Sequence, residues 1–183
     1  DDKVVRNCEE AGLGIVLVPT IIKGRNDHEV GDMIRYAAGH ISVVRGVNYQ
    51  PIAFTGAASE EDVQRERITI PELLEDIEDQ TGGAPRKDDF YPGPRVVPFS
   101  DPGEGYTRKP QGRVTAHQHC GAATYVFITD EGMVPINRMV DVDSFFRSVE
   151  SMAEKLKKGG ALNKYKSLIE GIREMNKSVR KGE

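Results

Sequence analysis

The run LGIVLVPTI, at residues 13–21, limits most strongly how this chain folds. It is an almost continuous series of strand-forming apolar side chains, which is typical of a strand buried on both faces of a parallel sheet. A helix that stops at Gly12 precedes the run, and Asn26 with Glu29 is predicted to form the capping box of a helix after it. A second strand is predicted within ISVVRGVNYQPI, residues 41–52. This order of elements predicts an α/β fold with a parallel sheet and crossover helices.

The character of the sequence changes after residue 55. Residues 56–67 are small and polar and are predicted to form a loop, whereas Thr69 and Glu72 begin a helix with a capping box. Residues 84–118 are rich in proline, glycine and charge, and a connection of this length is usually functional, a lid, or disordered. The sequence is therefore divided into three segments: residues 1–56 with two strand–helix units, 57–118 with a helix and an irregular bridge, and 119–183.

The last segment is predicted to hold a β-hairpin and two helices. Two strand-like runs flank Asp130-Glu131-Gly132, which is typical of a hairpin turn. Asp143 is predicted to cap a helix that ends at residues 159–160, and a further helix runs from about Leu162 to Val179. The regular spacing of apolar residues in both helices indicates core packing rather than a ligand site.

Composition and charge exclude several classes of function. The chain of 183 residues has a formal net charge of −4, which argues against a nucleic-acid interface. No apolar run reaches the length of a membrane span. The low cysteine content (Cys8 and Cys120) and the absence of a signal peptide favour the reducing cytoplasm. The sequence opens without methionine inside a predicted helix, so we expect a piece of a longer protein.

Polar side chains follow both predicted strands, where parallel sheets and (β/α) barrels bind their ligands. Lys23 and Asn26 lie in the loop after the first strand, and Asn48, Tyr49 and Gln50 lie at the end of the second. This placement predicts a binding edge without identifying the ligand. A structural alternative stays open, in which Asn26 is only a helix cap and Gln50 satisfies backbone groups.

The densest group of potential metal ligands is in TAHQHCGAATY. His117 and His119 alternate, so that in a strand they lie on one face, whereas Cys120 lies on the other face unless the Cys-Gly step turns. Imidazole and thiolate ligands together suit zinc or iron. A closed structural zinc site needs four ligands, however, and the sequence has no CxxC pair, so polar or packing roles remain the alternative.

Two stretches of the chain resemble the latter half of a radical S-adenosylmethionine (SAM) enzyme barrel: EAGLGIVLVPTIIKGRNDHEVGDMIRYA, followed by VVRGVNYQPIAFTG. In such enzymes a strand, a loop of the form x-x-Gly-x-Asn-Asp and a helix containing glutamate form one late β/α unit. Five further stretches resemble the C-terminal region of one group of these enzymes: RITIPELLEDIEDQTGG, DDFYPGP, VVPFS, HCGAATYVFIT and VPINRMVDVDSFF. That group contains tetraether lipid synthase and the dihydropterin methyltransferase-like proteins, and the resemblance covers roughly residues 10–146.

The resemblance implies a fragment of a partial (β/α) barrel, with two late β/α units, joined to a C-terminal α+β segment. In such enzymes a [4Fe-4S] cluster bound by CxxxCxxC cleaves SAM to a 5′-deoxyadenosyl radical, which leads to methyl transfer or C–C bond formation on a lipid or small molecule. By the same resemblance, Thr20 and the loop from Lys23 to Asn26 line the barrel mouth, and residues 47–50 lie near the adenosyl group. The resemblance also implies that the segment around Cys120 belongs to an auxiliary iron region.

The sequence also departs from this group. It lacks CxxxCxxC and the early strands that carry it, and Arg95 stands where the group often has cysteine. We therefore expect the chain alone not to be catalytic and to need the N-terminal half of the barrel as its partner. Alternatively, the chain is a stand-alone, non-catalytic domain that binds a ligand or partner and forms a homodimer through an exposed barrel edge. A third interpretation is a zinc protein that uses His117, His119 and Cys120.

Overall fold

The computed structural model describes residues 2–92, 120–158 and 161–179, with side chains for all of these except 161–165. The chain forms two compact units, Asp1–Lys87 (unit 1) and Asp88–Glu183 (unit 2). The three sequence segments stay a prediction, because their boundary at residue 118 lies outside the described residues. In the described ranges, no helix is both long enough and apolar enough to cross a membrane.

Unit 1 alternates helices with short strands. Its elements are α1 (Asp2–Glu10), β1 (Ile15–Leu17), β2 (Thr20–Ile21), α2 (Val30–Gly39), β3 (Val44–Val47), β4 (Gln50–Pro51), α3 (Glu60–Glu66) and α4 (Ile70–Thr81). β1 pairs with β3 and β2 with β4, and both pairs are parallel. This arrangement confirms the predicted α/β class, although the described residues do not close a barrel.

One core cluster of unit 1 lies between its helices and one face of β1 and β3. Its members are Val5, Val43 and Val44, with Ile15, Leu17 and Tyr36 packed against them. Val16 and Val18 point the other way, and each keeps more than half of its surface exposed, 54%. The prediction that this run is buried on both faces is therefore wrong for the described chain. Successive side chains of a strand face opposite sides, and the helices cover only one side.

Residues 56–67 contain a helix that the sequence analysis missed. The loop prediction is wrong, because Ser59 caps α3 by accepting a hydrogen bond from the Asp62 amide at 3.1 Å. Acidic residues in the first turn of α3 also interact favourably with the helix dipole. By contrast, the predicted capping box of α4 is confirmed, since Thr69 and Glu72 bond each other's backbone amides. Gly82 ends α4 in the left-handed conformation that glycine adopts readily (φ 67°).

Unit 2 consists of small antiparallel sheets and three helices among the described residues. Its elements are β5 (Tyr91–Pro92), β6 (Ala122–Ala123), β7 (Val126–Thr129), β8 (Gly132–Pro135), α5 (Ile136–Met139), α6 (Val142–Lys158) and α7 (Ala161–Lys177). The predicted hairpin is confirmed: Thr129 pairs with Gly132, so Asp130 and Glu131 form a two-residue loop.

Helices α6 and α7 pack side by side in unit 2, and the backbone bridge between Val140 and Val179 makes them antiparallel. Asp143 was predicted to cap α6, but it lies inside the helix. The cap is Asp141, whose carboxylate accepts a hydrogen bond from the Ser144 amide at 2.8 Å. An aspartate two residues earlier reaches the third amide of the helix, which is the geometry of an N-cap.

Candidate functional site

The face of the strands in unit 1 that the helices leave uncovered carries the candidate site. Backbone hydrogen bonds run from residues 48, 50 and 52 to residues 17, 19 and 21, so the pairing continues in phase from β1–β3 into β2–β4. Because side chains alternate along a strand, one face carries Val16, Val18 and Thr20 beside Gly46, Asn48 and Gln50. We call these six residues the open face.

The open face is apolar at one end and polar at the other. Val16 and Val18 lie toward the start of the strands, whereas Thr20, Asn48 and Gln50 lie at their carboxyl ends, and all five are exposed. A Cβ added at Gly46 would meet no atom within 4 Å, so the backbone there is open to close approach. This surface suits a ligand with a flat apolar part and with polar groups directed to the carboxyl edge.

Tyr49 does not belong to the open face. It lies between Asn48 and Gln50 in sequence and therefore points to the helix-covered side. Its hydroxyl donates a hydrogen bond to the Val30 carbonyl at 2.6 Å. Burial raises the pKa of this hydroxyl, so it stays protonated and available as a donor to that carbonyl. In this position Tyr49 joins β4 to the start of α2.

Asn26 braces the loop after β2 instead of capping a helix through its side chain. Its Oδ1 accepts a hydrogen bond from the Ile22 amide at 2.8 Å, and its Nδ2 donates to the Thr20 carbonyl at 2.9 Å. The predicted capping box with Glu29 is wrong, since Asp27–Glu29 forms a 3₁₀ turn and Asn26 makes no side-chain cap bond. An asparagine that bonds nearby backbone groups in a turn competes directly with the capping role.

Lys23 is held by an ion pair with α4. Its Nζ lies 2.6 Å from Glu72 Oε1, and its amide donates to the Glu66 carbonyl at 3.0 Å. The hydrogen bond from Lys23, followed by those from Thr69, lowers the pKa of Glu72 from 4.5 to about 2. The same hydrogen bond raises the pKa of Lys23. Lys23 therefore fixes the loop to a helix.

Two further residues fix this loop, and the sequence analysis did not identify either. Glu66 accepts a hydrogen bond from Arg25 Nη2 at 2.7 Å. Gln80, in α4, donates from Nε2 to the Asp27 carbonyl at 2.7 Å and accepts from the Gly31 amide at 2.9 Å. The two partners of each contact are far from each other in the sequence, so no local pattern indicates these contacts. Together they give the carboxyl edge of β2 a rigid border.

The lowered pKa of Glu72 predicts a pH dependence of stability. A carboxylate whose pKa is depressed on folding stabilises the folded state at pH values above its unfolded pKa of 4.5. This contribution is lost as the pH falls toward 2. Because 40% of the side chain is exposed, we expect at most about 1 kcal/mol. The free-energy difference between the native chain and Glu72→Gln, measured by urea unfolding, should shrink between pH 5 and pH 2 by about this amount. Glu10→Gln, which removes an exposed carboxylate of α1, is the control for the loss of one negative charge.

The structure separates the predicted site residues into two sets. Thr20, Asn48 and Gln50 come together on the open face, whereas Lys23, Asn26 and Tyr49 make contacts within the scaffold. Ligand contacts by any of them stay a prediction.

The predicted metal ligands are only partly described. His117 and His119 lie outside the described residues, and Cys120 is exposed. Within the described part of the chain, no three His, Cys, Asp or Glu side chains are grouped as a metal site.

Comparison with known proteins gives one informative relative. No family model matches the chain. The chain is 44% identical, over 158 residues, to a protein of Methanocaldococcus jannaschii named 7,8-dihydro-6-hydroxymethylpterin dimethyltransferase. This match covers 85% of the present chain and 31% of the relative, so the chain spans about a third of the relative's length.

Proposed function

We propose that this chain is part of a SAM-dependent methyltransferase of the radical SAM type and that its open face lines the ligand chamber. The observation that carries the proposal is the position of Thr20, Asn48 and Gln50 together at the carboxyl edge of parallel strands, on a face that no helix of the described residues covers. Ligands bind at this edge in (β/α) barrels. The 44% identity to a protein named as a methyltransferase supports the same class of reaction.

The residues of the open face fit the binding of SAM better than they fit the binding of a cluster. Thr20, Asn48 and Gln50 offer hydroxyl and amide groups that both donate and accept hydrogen bonds, and they would hold the polar atoms of SAM. When bound, SAM supplies the methyl group or, in radical SAM chemistry, the 5′-deoxyadenosyl radical. Val16 and Val18 would exclude water from the apolar part of the ligand.

The donor set of the chain does not fit a [4Fe-4S] cluster. Such clusters are held by cysteine thiolates, commonly four, and the whole sequence has two cysteines. Cys8 belongs to unit 1 and Cys120 to unit 2. We therefore assign the cluster to polypeptide outside this chain and derive no step through it here. The chain alone is proposed to be inactive.

We propose a small heterocyclic substrate. The relative's name specifies a dihydropterin, a flat molecule with several hydrogen-bonding groups. A flat ring with polar edges matches a surface that is apolar beside Gly46 and polar at Asn48 and Gln50. A lipid substrate is the alternative within the same class of reaction. We also propose the cytoplasm as the location, because the chain has few cysteines.

The proposed partner is the remainder of the barrel. Two-stranded parallel sheets seldom stand alone, since parallel strands are normally covered on both faces. In unit 1 the open face exposes Val16 and Val18, and further parallel strands would bury them. The same exposed surface supports a second candidate function, a non-catalytic binding domain that dimerises through this face.

The test is the size and activity of the natural polypeptide. An antibody raised against this chain should detect a band well above 20.2 kDa in extracts of the source cells. The protein isolated with that antibody under anaerobic conditions should contain CxxxCxxC in its upstream sequence and should release 5′-deoxyadenosine from SAM. A band at the size of this chain would contradict the proposal and favour the binding domain. In that case, sedimentation should show a dimer.

A further inference from the structure

Helices α6 and α7 of unit 2 border a groove that the function above does not use. The groove has a volume of about 530 Å³, which is within the range of small-molecule sites. Its floor includes Gly171, where an added Cβ would overlap the side chain of Met152, so the helices approach closely there. Polar residues of α6 line one wall: Ser144, Arg147, Ser148, Ser151 and Lys155. Their spacing of three and four residues places them on one helix face.

Arg147 is a cation of this wall. Its Nη2 donates a hydrogen bond to Ser144 Oγ at 3.0 Å, and no carboxylate among the described residues forms an ion pair with it. Lys155, by comparison, lies 3.5 Å from Glu170. The guanidinium of Arg147 therefore keeps most of its N–H groups available for a ligand, in the planar fork that matches two oxygens of an anion.

Serine hydroxyls beside Arg147 add further donors. Ser144 Oγ accepts the bond from Arg147, so its own proton is available to an anion. Ser151 is exposed, and its hydroxyl has no hydrogen-bond partner in the part of the chain that the structure describes. Ser148 instead donates to the Ser144 carbonyl at 2.9 Å and so fixes this turn of the wall. The guanidinium and two free hydroxyl protons thus lie along a single wall.

The opposite wall carries two carboxylates, and both are paired with lysines. Glu170 lies between Lys155, at 3.5 Å, and Lys166, at 4.0 Å. Glu174 lies 2.6 Å from Lys177. These pairs reduce the repulsion that an anion in the groove would meet. They also make the α6 wall, rather than the α7 wall, the favourable side for negative charge.

We propose that this groove binds a small phosphorylated ligand, with its phosphate group held by Arg147 and the Ser144 hydroxyl, and with the Ser151 hydroxyl, about two helical turns from Ser144, contacting the rest of the ligand. A tetrahedral phosphate presents oxygens to the guanidinium fork and to the Ser144 hydroxyl at once, whereas a planar carboxylate has only two oxygens to share between them. The proposal does not rest on the methyltransferase assignment, because it concerns a different unit of the chain and a different chemistry.

The proposal is tested by titrating the ¹⁵N-labelled full chain with inorganic phosphate and following its amide signals by NMR. A titration with sodium chloride of equal ionic strength is the control. Phosphate is expected to cause saturable amide shifts confined to residues 144–155 and 170–174. Arg147→Ala should weaken phosphate binding by about tenfold or more, since charge-assisted bonds to arginine are among the stronger ones. Arg147→Lys should retain part of the affinity, and Ser144→Ala should cause a smaller loss than Arg147→Ala.

Arg173→Ala is the matched control. Arg173 is an exposed arginine of α7 that does not line the groove, so its loss changes the net charge equally without removing a proposed contact. Equal weakening by both arginine variants would mean non-specific attraction and would overturn the proposal. So would shifts that chloride reproduces, or acetate that binds as tightly as phosphate. Unchanged circular dichroism verifies that each variant is folded.

Discussion

Gly31→Ala is expected to destabilise unit 1 by about 1–3 kcal/mol, the usual cost of adding a buried atom to a packed contact. An added Cβ would lie 2.6 Å from Gln80 Cβ and 2.9 Å from the Gln80 carbonyl oxygen. Both of these atoms are backbone or next to it, so they cannot move aside as the end of a flexible side chain would. Movement of α4 would also stretch the 2.9 Å bond from the Gly31 amide to Gln80.

Gly39→Ala is the control for this prediction, because both glycines belong to α2. Gly39 has no atom within 4 Å of an added Cβ and is exposed. Alanine there should be neutral, or stabilising by about 0.5–1 kcal/mol, because glycine in a helix loses more conformational freedom on folding. Amide hydrogen exchange of α2 and α4 measures the effect in unit 1 itself. Similar protection in the two variants would show that α2 and α4 do not pack through Gly31.

The order of elements in unit 1 could be predicted because its signals are local. Apolar runs identified β1 and β3, and Thr69 with Glu72 identified the start of α4, since both patterns involve residues within one strand or one turn. The contacts that make the border of the site rigid are not local. Lys23 and Glu72 are 49 residues apart, and Asp27 and Gln80 are 53 residues apart. No periodicity connects such positions.

The candidate site was predicted as an edge but not as a face. Sequence alone placed Asn48, Tyr49 and Gln50 together, whereas strand alternation divides them between two sides. Tyr49 turns inward because strand alternation places it on the helix-covered side, where its half-buried hydroxyl finds an acceptor in the Val30 carbonyl. Asn26 was assigned to a cap because asparagine precedes a helix, but its amide satisfies two backbone groups of the preceding loop instead. Predicting the side on which Tyr49 lies required knowing which face of the strands the helices cover.

Val18→Asp is expected to be tolerated in this chain but to be harmful in the longer protein that we propose. In the chain alone, Val18 is 54% exposed, so a carboxylate there stays hydrated and the unfolding free energy should change by no more than about 0.5 kcal/mol. In the longer protein the open face would line a closed chamber, and an unpaired charge in that setting costs several kcal/mol. We expect the longer variant to lose at least about 100-fold in methyl transfer, which corresponds to nearly 3 kcal/mol.

Two matched variants separate burial from other effects of this change. Val18→Thr keeps the β-branched shape and the strand propensity, so it should retain most of the activity. Val4→Asp introduces the same charge at a valine of nearly equal exposure, 52%, on α1, where helices of a barrel face outward. It should be tolerated in both forms of the protein. If the longer protein also tolerates Val18→Asp, then the open face stays in water there, and neither substrate nor further strands cover it. Loss of activity with Val18→Asp alone would place the apolar end of the open face inside the chamber, where it faces the ligand.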